Sequence, residues 1–319
     1  MSGHIHCADL SRREVLVITD LSPVSTNALW RAALIAREQG ASLRLLAGGQ
    51  GRRMAQVDAA IEDLRDRVRA RLGIELTAEV AEGDVLPKAI SAARSAGLLV
   101  IGPRRSNPLR EWIAGTQAER LIRLCRIPTL IVKRPAVPGR NAALGSTAEP
   151  GRYGRVLVSV DLRPEAADLI AAAVSFSGDA QMQIFHALGP DSHHRPAAAQ
   201  APATGRNTAM QRAQSALQEL IRSSDAQMPG AVSFVAFGRA AKCVLGRERA
   251  TGAELIVIGK RRRGLLADFI LGGVTQQVLA GSQADVLVMP SAGNPAAAAA
   301  IPEQRNRPAT LRLQALEFD

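Results

Sequence analysis

Short apolar runs recur along the first part of the chain, and stretches with helical spacing of apolar residues separate them. An apolar run of a few residues without polar interruption is typical of a strand that helices cover on both faces of a parallel sheet. We therefore predict five strands, running from Glu14 to Thr19, from Ser42 to Ala47, from Glu75 to Val80, from Leu98 to Ile101 and from Thr129 to Val132.

Between these strands, apolar residues three and four positions apart predict amphipathic helices. The first helix is expected from an N-cap at Ser25 to Gln39, with Gly40 ending it. Two further helices are expected from Asp58 to Leu72 and from Pro87 to Ser95, and Gly115 opens a fourth. Alternating strands and helices predict a doubly wound α/β domain, with a five-stranded parallel sheet and helices on both of its faces.

The same pattern occurs a second time further along the chain. A glycine ends an apolar strand, a second glycine opens a helix thirteen residues later, and a last strand begins after thirteen more; the matched positions are Gly102, Gly115 and Pro128 in the first copy and Gly259, Gly272 and Asp285 in the second. Upstream, EVLVITD ends at Asp20 and RVLVSVD ends at Asp161. The chain is therefore predicted to be a tandem duplication.

The repeat divides the chain into four parts. We predict a first domain over residues 1–135, a linker rich in Gly and Pro over 136–152, a second domain over 153–290 and a low-complexity tail over 291–319. The separation of matched residues grows from 141 to 157 within the second copy. We assign the difference to an insertion at 189–207, predicted to be a surface loop.

The carboxyl ends of the predicted strands are the candidate ligand site. In open α/β sheets, phosphates bind where a loop leaving a strand meets the N-terminus of a helix, because free backbone N–H groups and the helix dipole point there. Asp20 and Asp161 stand at such strand ends, and Gly272 and Gly273 begin such a helix. The run from Lys260 to Arg263, with Arg104 and Arg105, adds cations.

Composition narrows the class of protein. The net charge of +11 favours polyanionic partners, but we find no helix-turn-helix or zinc-finger pattern and no aromatic residues among the cations, so sequence-specific nucleic-acid binding is not expected. Three cysteines without metal or disulfide spacing fit a reducing cytoplasm, and we predict no metal site. No apolar run approaches the length of a membrane span, so a cytoplasmic protein with no membrane partner is expected.

With its two aspartates and its spaced strand-end and helix-opening glycines, the chain resembles a tandem universal stress protein. The resemblance implies two adenine-nucleotide-binding-type α/β domains (adenine nucleotide alpha hydrolase-like), each with five parallel strands, which pack together through their last strands. It also implies ATP binding through a G-x2-G-x9-G-[ST] motif, with the first-strand aspartate beside the nucleoside.

The motif matches in part. Gly102, Gly115 and Thr116 fit in the first copy, and Gly259 and Gly272 fit in the second. The departures are Arg105 and Arg262 in place of the second glycine, and Gly273 in place of the hydroxyl residue. Either the arginines fill the pockets and nucleotide binding is lost, or their guanidinium groups replace the backbone donors that hold phosphate. Thr116 makes the first copy the better candidate.

No catalytic motif is present: the chain lacks a P-loop, a G-x-G-x-x-G turn after either first strand and a G-x-S-x-G elbow. His186 lies at a predicted strand end, where a packed side chain is the more common role. We expect no enzyme. Three hypotheses stay open. The first is a stress-response protein that binds an adenine nucleotide or another phosphate anion. The second is an interaction scaffold with degenerate pockets, in which the two domains pair within one chain and two chains are expected to form a homo-dimer. The third is a non-specific polyanion binder.

Overall fold

The computed structural model describes residues 14–48, 53–102, 117–136, 152–189, 203–224, 226, 228, 230–260 and 271–290. In the first copy, strands and helices alternate as predicted. In chain order they are β1 (Glu14–Thr19), α1 (Pro23–Gln39), β2 (Ser42–Gly48), α2 (Met54–Leu72), β3 (Leu76–Ala81), α3 (Val85–Ala93), β4 (Ala96–Ile101), α4 (Gln117–Leu124) and β5 (Thr129–Ile131).

The second copy repeats this order of elements. It consists of β6 (Arg155–Ser159), α5 (Ala166–Ser177), β7 (Gln181–Leu188), α6 (Ala203–Ser223), β8 (Val232–Phe237), α7 (Ala240–Thr251), β9 (Leu255–Lys260), α8 (Gly273–Gly281) and β10 (Asp285–Pro290). Residues 203–207, which we predicted as part of a surface loop, belong to α6 instead. The Pro/Ala-rich composition of the insertion favours a loop, but its last residues form the first turn of the long helix α6.

Local signals explain where the helices begin and end. Ser22 is the N-cap of α1, because its side chain accepts a hydrogen bond from the backbone N–H of Ser25. Our N-cap prediction at Ser25 was therefore wrong by three residues, and Ser25 lies inside the helix. Gly40 ends α1 with φ at +62°, a conformation that glycine adopts without steric cost.

The ten strands of the described ranges belong to one sheet, in the order β3-β2-β1-β4-β5-β10-β9-β6-β7-β8. Within each copy the strands are parallel, which confirms the predicted fold class. The copies meet where β5 pairs with β10 in the antiparallel direction. Helices bury apolar side chains on both faces, and each of the two resulting core layers continues from one copy into the other.

Equivalent residues face each other at the junction between the copies. Leu130 pairs with Leu287, its counterpart 157 residues later, at the centre of the β5–β10 pairing. Glu119 on α4 accepts a hydrogen bond of 2.7 Å from Gln276, its counterpart on α8. Such self-pairing is typical of an isologous interface, so one chain builds the arrangement that two single-domain copies would form as a dimer.

Asp285 lies at the centre of a polar cluster at this junction, and its side chain is fully buried. One carboxylate oxygen accepts hydrogen bonds of 2.7 Å from the backbone N–H groups of Lys133 and Arg134 in the first copy. The other accepts a 2.8 Å hydrogen bond from the Tyr153 hydroxyl and lies 3.3 Å from the buried Arg31 guanidinium. Burial raises the pKa of Tyr153 well above its ordinary value, so this phenol remains a donor.

A lysine of the first copy contacts the carboxyl end of a helix of the second. The Lys133 ammonium donates hydrogen bonds to the carbonyl oxygens of Leu279, at 2.5 Å, and Ser282, at 2.8 Å, at the carboxyl end of α8. The last carbonyl groups of a helix have no partner within the helix, and the helix dipole favours a cation there. This contact therefore fixes α8 to the first copy.

Candidate functional site

The carboxyl end of β1 is organised by a local network of hydroxyl groups around Asp20. The Asp20 carboxylate accepts hydrogen bonds from the Ser22 backbone N–H at 2.9 Å and from the Ser25 hydroxyl at 2.6 Å. Thr19 lies 2.7 Å from the same Ser25 hydroxyl. Leu21, between them, has φ at +58°, which is uncommon for a residue with a side chain. Asp20 therefore shapes the turn into α1 at the strand edge where ligands of this fold class bind.

Gly102, at the end of β4, approaches α1 closely. A Cβ atom at this position would lie 3.0 Å from the Ala28 Cβ and 3.6 Å from the Ser25 Cα. This separation is tighter than ordinary van der Waals contact between carbon atoms. A glycine here, opposite a small alanine, therefore lets the end of β4 lie directly beside the first turns of α1.

The equivalent edge of the second copy is built differently. Leu169 takes the place of Ala28, and its Cδ2 atom lies 3.6 Å from where a Gly259 Cβ would be. Arg163 takes the place of Ser22, and its guanidinium lies 3.8 Å from the Asp161 carboxylate. A bulky apolar side chain and a cation therefore lie where the first copy has a methyl group and a hydroxyl.

The N-terminus of α8 is the helix end that we predicted from the sequence as a phosphate site. Gly272 is its N-cap and contributes no side-chain hydrogen bond, and Gly273 is the first helical residue. Among the described residues, a Cβ atom at Gly272 would have no neighbour within 4 Å, and one at Gly273 would lie 4.0 Å from the Gln277 amide nitrogen. No described side chain therefore crowds the backbone at the start of this helix.

Lys260 does not join the anion-binding group that we predicted from the cationic run after β9. Its ammonium donates hydrogen bonds to the carbonyl oxygens of Ile122, at 2.9 Å, of Arg123, and of Cys125, at 3.3 Å, at the carboxyl end of α4. This contact mirrors that of Lys133 with α8. The two copies thus exchange lysines, each one capping a helix of the other.

Replacing Lys260 with methionine is expected to lower the free energy of unfolding by about 2 kcal/mol, because carbonyl groups at the junction lose a charged donor while the side-chain stem remains. Urea denaturation would measure the change. Lys242→Met on the exposed face of α7 is the control, with an expected change within about 0.5 kcal/mol. Equal effects of the two substitutions would contradict the assignment of Lys260 as a helix cap.

A model of the universal stress protein family matches the chain over residues 11–133 and again over residues 152–290. The chain belongs to the universal stress protein family. The two matched segments confirm the predicted tandem arrangement. No curated protein matches the sequence significantly.

Solved structures share the fold over nearly the full length of this universal stress protein. A protein of unknown function from Pseudomonas aeruginosa is 22% identical, with a TM-score of 0.65, covering 88% of this chain and 92% of its own. A second P. aeruginosa chain, described as a universal stress protein, is 23% identical with a TM-score of 0.64, at 88% and 93% coverage. A universal stress protein from Archaeoglobus fulgidus is 17% identical with a TM-score of 0.62, at 90% and 98% coverage.

The structure brings only part of the predicted motif together. Asp20 and Gly102 both lie beside Ser25, whose hydroxyl donates to the Asp20 carboxylate and whose Cα would lie 3.6 Å from a Cβ at Gly102. Asp161 follows β6, and Gly259 lies near the carboxyl end of the paired strand β9, at the matching edge of the second copy. Arg104, Arg105, Gly115 and Thr116 fall outside the described residues, as does Arg262. His186 is buried, with its Nδ1 atom 2.9 Å from the Val160 carbonyl oxygen, so it is packed within the sheet layer.

Sequence reasoning missed the polar cluster around Asp285 in this universal stress protein. We treated Asp285 only as the first residue of the last strand. One signal was available, because an aspartate opens a fully apolar strand at the position where the first copy has Pro128. A charge placed at the edge of a buried strand indicates a partner inside the protein.

Cysteine chemistry and metal binding find little support in the described ranges. Burial raises the pKa of the Cys125 thiol to about 11, although the nearby Lys260 opposes the shift, so the reactive thiolate is scarce at neutral pH. Within the described ranges, no three His, Cys, Asp or Glu side chains lie close enough to hold a metal ion. No helix in those ranges is both long and apolar enough to cross a membrane.

Proposed function

We propose that this universal stress protein binds an adenine nucleotide, ATP, or a related phosphate anion in its first copy only, and acts as a stress-response regulator without turnover. The observation that carries the proposal is the difference between the two strand edges. Gly102 faces Ala28 in the first copy, whereas Gly259 faces the larger Leu169 in the second. The first edge therefore presents small side chains and hydroxyl groups beside Asp20, a lining that suits a nucleoside better than Leu169 and Arg163 do.

The proposed roles follow the motif of the first copy. Asp20 would lie beside the nucleoside, and Gly115 and the Thr116 hydroxyl would hold the phosphates at the start of α4. We assign Arg105 the part of the missing glycine, because a guanidinium group presents a planar fork of donors that matches phosphate oxygens. We expect no hydrolysis.

We propose that the second copy binds no nucleotide. The Arg163 guanidinium lies 3.8 Å from the Asp161 carboxylate, Lys260 is engaged in capping α4, and Gly273 supplies no hydroxyl. Gly259 and Gly272 then serve the fold more than a ligand, and Arg262 is proposed to have no ligand to hold.

A scaffold without a nucleotide is the second candidate, and one observation favours it. The Asp20 carboxylate already has internal donors in Ser22 and Ser25, so it needs no ligand to satisfy it. In that case the protein would act by binding partner proteins on the surface of the ten-stranded unit, and a homo-dimer would enlarge that surface. The domain bounds at 135 and 153, the homo-dimer and the cytoplasmic location all stay predictions.

Calorimetric titration of the full chain with ATP tests the proposal. We expect a single site per chain, lost in Gly115→Val and kept in the matched control Gly272→Val, because the two substitutions change equivalent glycines of the two copies. Thr116→Ala is expected to weaken binding by about tenfold, the cost of one hydrogen bond to a charged group. The absence of heat would favour the scaffold, and equal losses in both glycine variants would overturn the assignment to the first copy.

A further inference from the structure

The strand β8 at one edge of the sheet exposes apolar side chains that its counterpart in the first copy does not. Val232 is 52% exposed and Phe234 is 42% exposed. Among the strands in the described ranges, β8 pairs only with β7, so one side of its backbone has no strand partner there. Its sequence, VSFVAF, contains no charge and no proline, the usual residues that protect an edge strand from pairing with another chain.

The first copy provides an internal comparison, because β3 is the matching edge strand. The register of the two sheets makes Thr77 equivalent to Val232 and Glu79 equivalent to Phe234. Glu79 is exposed and forms an ion pair of 2.9 Å with Lys88. The same edge is therefore polar and charge-paired in one copy and apolar in the other, although the folds agree. The difference lies in side chains alone.

The surroundings of β8 are cationic. Arg239 follows the strand at its carboxyl end, and Arg247 lies over the Phe234 ring at 3.9 Å while its Nε donates to Gln183 on β7. The exposed face of α7 adds Lys242 and Arg249. The sole acid of this helix, Glu248, is buried and accepts hydrogen bonds from the backbone N–H groups of Gln283 and Ala284.

From this combination we propose that β8 is a docking edge for an extended peptide segment of a partner protein, with apolar residues at its centre and acidic residues at its ends. The segment adds to the sheet as a further strand, through backbone hydrogen bonds to the free side of β8. Its apolar residues cover Val232 and Phe234, and its carboxylates meet Arg239 beyond the carboxyl end of β8 and Arg247 beside Phe234.

Charge and ring geometry decide against two other occupants. A second copy of this chain, paired edge to edge, would bring two sets of the same arginines together in a chain of net charge +11. A single-stranded nucleic acid needs aromatic faces on which its bases stack, but the Arg247 guanidinium already lies on one face of Phe234, and Val232 is aliphatic. An acidic, partly apolar peptide fits both the edge and its charges.

The test uses the full chain and a fluorescently labelled peptide of about nine residues, with a Val-Thr-Val-Thr-Val centre and two glutamates at each end, which matches the length of β8 with its flanking cations. We expect fluorescence anisotropy to show saturable binding. Phe234→Glu, which restores the residue type of the first copy, should weaken it by at least about tenfold. Glu79→Gln on β3 is the matched control and should leave it unchanged.

Two modified peptides separate backbone pairing from charge alone. A peptide N-methylated at alternate residues loses the donors that pair with β8, and one with lysines at its ends loses the attraction to the arginines; each should bind at least about tenfold more weakly. If Phe234→Glu proves unfolded in thermal melting, Val232→Thr replaces it. Unchanged binding in a folded variant would overturn the proposal. So would displacement of the peptide by oligothymidine, or a self-association that Phe234→Glu abolishes.

Discussion

Replacing Asp285 with alanine is expected to lower the free energy of unfolding by about 3–5 kcal/mol, the range for removal of one partner of a buried ion pair. The carboxylate is fully buried and joins the two copies, since it accepts hydrogen bonds from the backbone N–H groups of Lys133 and Arg134 and from the Tyr153 hydroxyl. Its loss leaves Arg31 buried without this counter-charge. Urea denaturation of the full chain measures the change.

Two further substitutions identify the cause of the loss. Asp63→Ala removes a carboxylate that pairs with Arg67 on the exposed side of α2, and its effect should stay below about 1 kcal/mol. Asp285→Asn keeps the shape of the side chain and the oxygen that accepts the two backbone hydrogen bonds, but it removes the charge. Its loss of unfolding free energy should therefore lie between the losses for Asp285→Ala and Asp63→Ala. A loss for Asp285→Ala no larger than that for Asp63→Ala would show that the cluster does not hold the copies together.

The stability of the protein is expected to rise with pH between about 8 and 10.5 through Lys133. Burial lowers the pKa of this lysine from 10.5 to about 8, against the opposing influence of Glu248 and Asp285. Within this window the unfolded chain still holds the proton and the folded chain has released it, so stability increases with pH. Burying the charged Lys133 therefore costs stability in full below pH 8, and this cost disappears near pH 10.5. Its size is about 3 kcal/mol, since each unit of pKa shift corresponds to 1.36 kcal/mol.

Comparison with Lys133→Met isolates this contribution, because methionine keeps the apolar stem but does not titrate. The difference in unfolding free energy between the two proteins should change by about 3 kcal/mol from pH 7.5 to 10.5, in the direction that favours the wild type at high pH. Other titrating groups act in both proteins and cancel. Parallel pH profiles for the two proteins would show that Lys133 keeps its charge throughout this range in the folded state.

The residues behind these expectations lie at the junction, and they differ from their counterparts in the other copy. Asp285 has Pro128 as its counterpart, and Lys260 has Pro103. Two separate identical chains could not provide one aspartate at one side of an isologous interface and a proline at the other. Fusion of the copies therefore allowed the two sides of the interface to specialise, as the edges β3 and β8 did.

The regular elements could be predicted because they depend on local patterns. The apolar periodicity of α2, with Ile61, Leu64, Val68 and Leu72 buried, and the uninterrupted apolar run of β4 are visible without any knowledge of distant residues. The predicted start of α1 was wrong because two neighbouring residues could each cap the helix. Ser22 and Ser25 are both good N-cap residues three positions apart, and the backbone conformation at Leu21 accompanies the choice of Ser22.

The amino-acid sequence was sufficient to establish the tandem repeat, the parallel α/β class and the resemblance to universal stress proteins, since spacing and periodicity are properties of the chain itself. Tertiary structure alone assigned Lys260 to a helix end, Asp285 to the junction and the open side of β8 to the surface. These roles depend on partners more than a hundred residues away, or on the order of strands in the sheet. The residue type determines the charge of a side chain, but the fold determines which group that charge contacts.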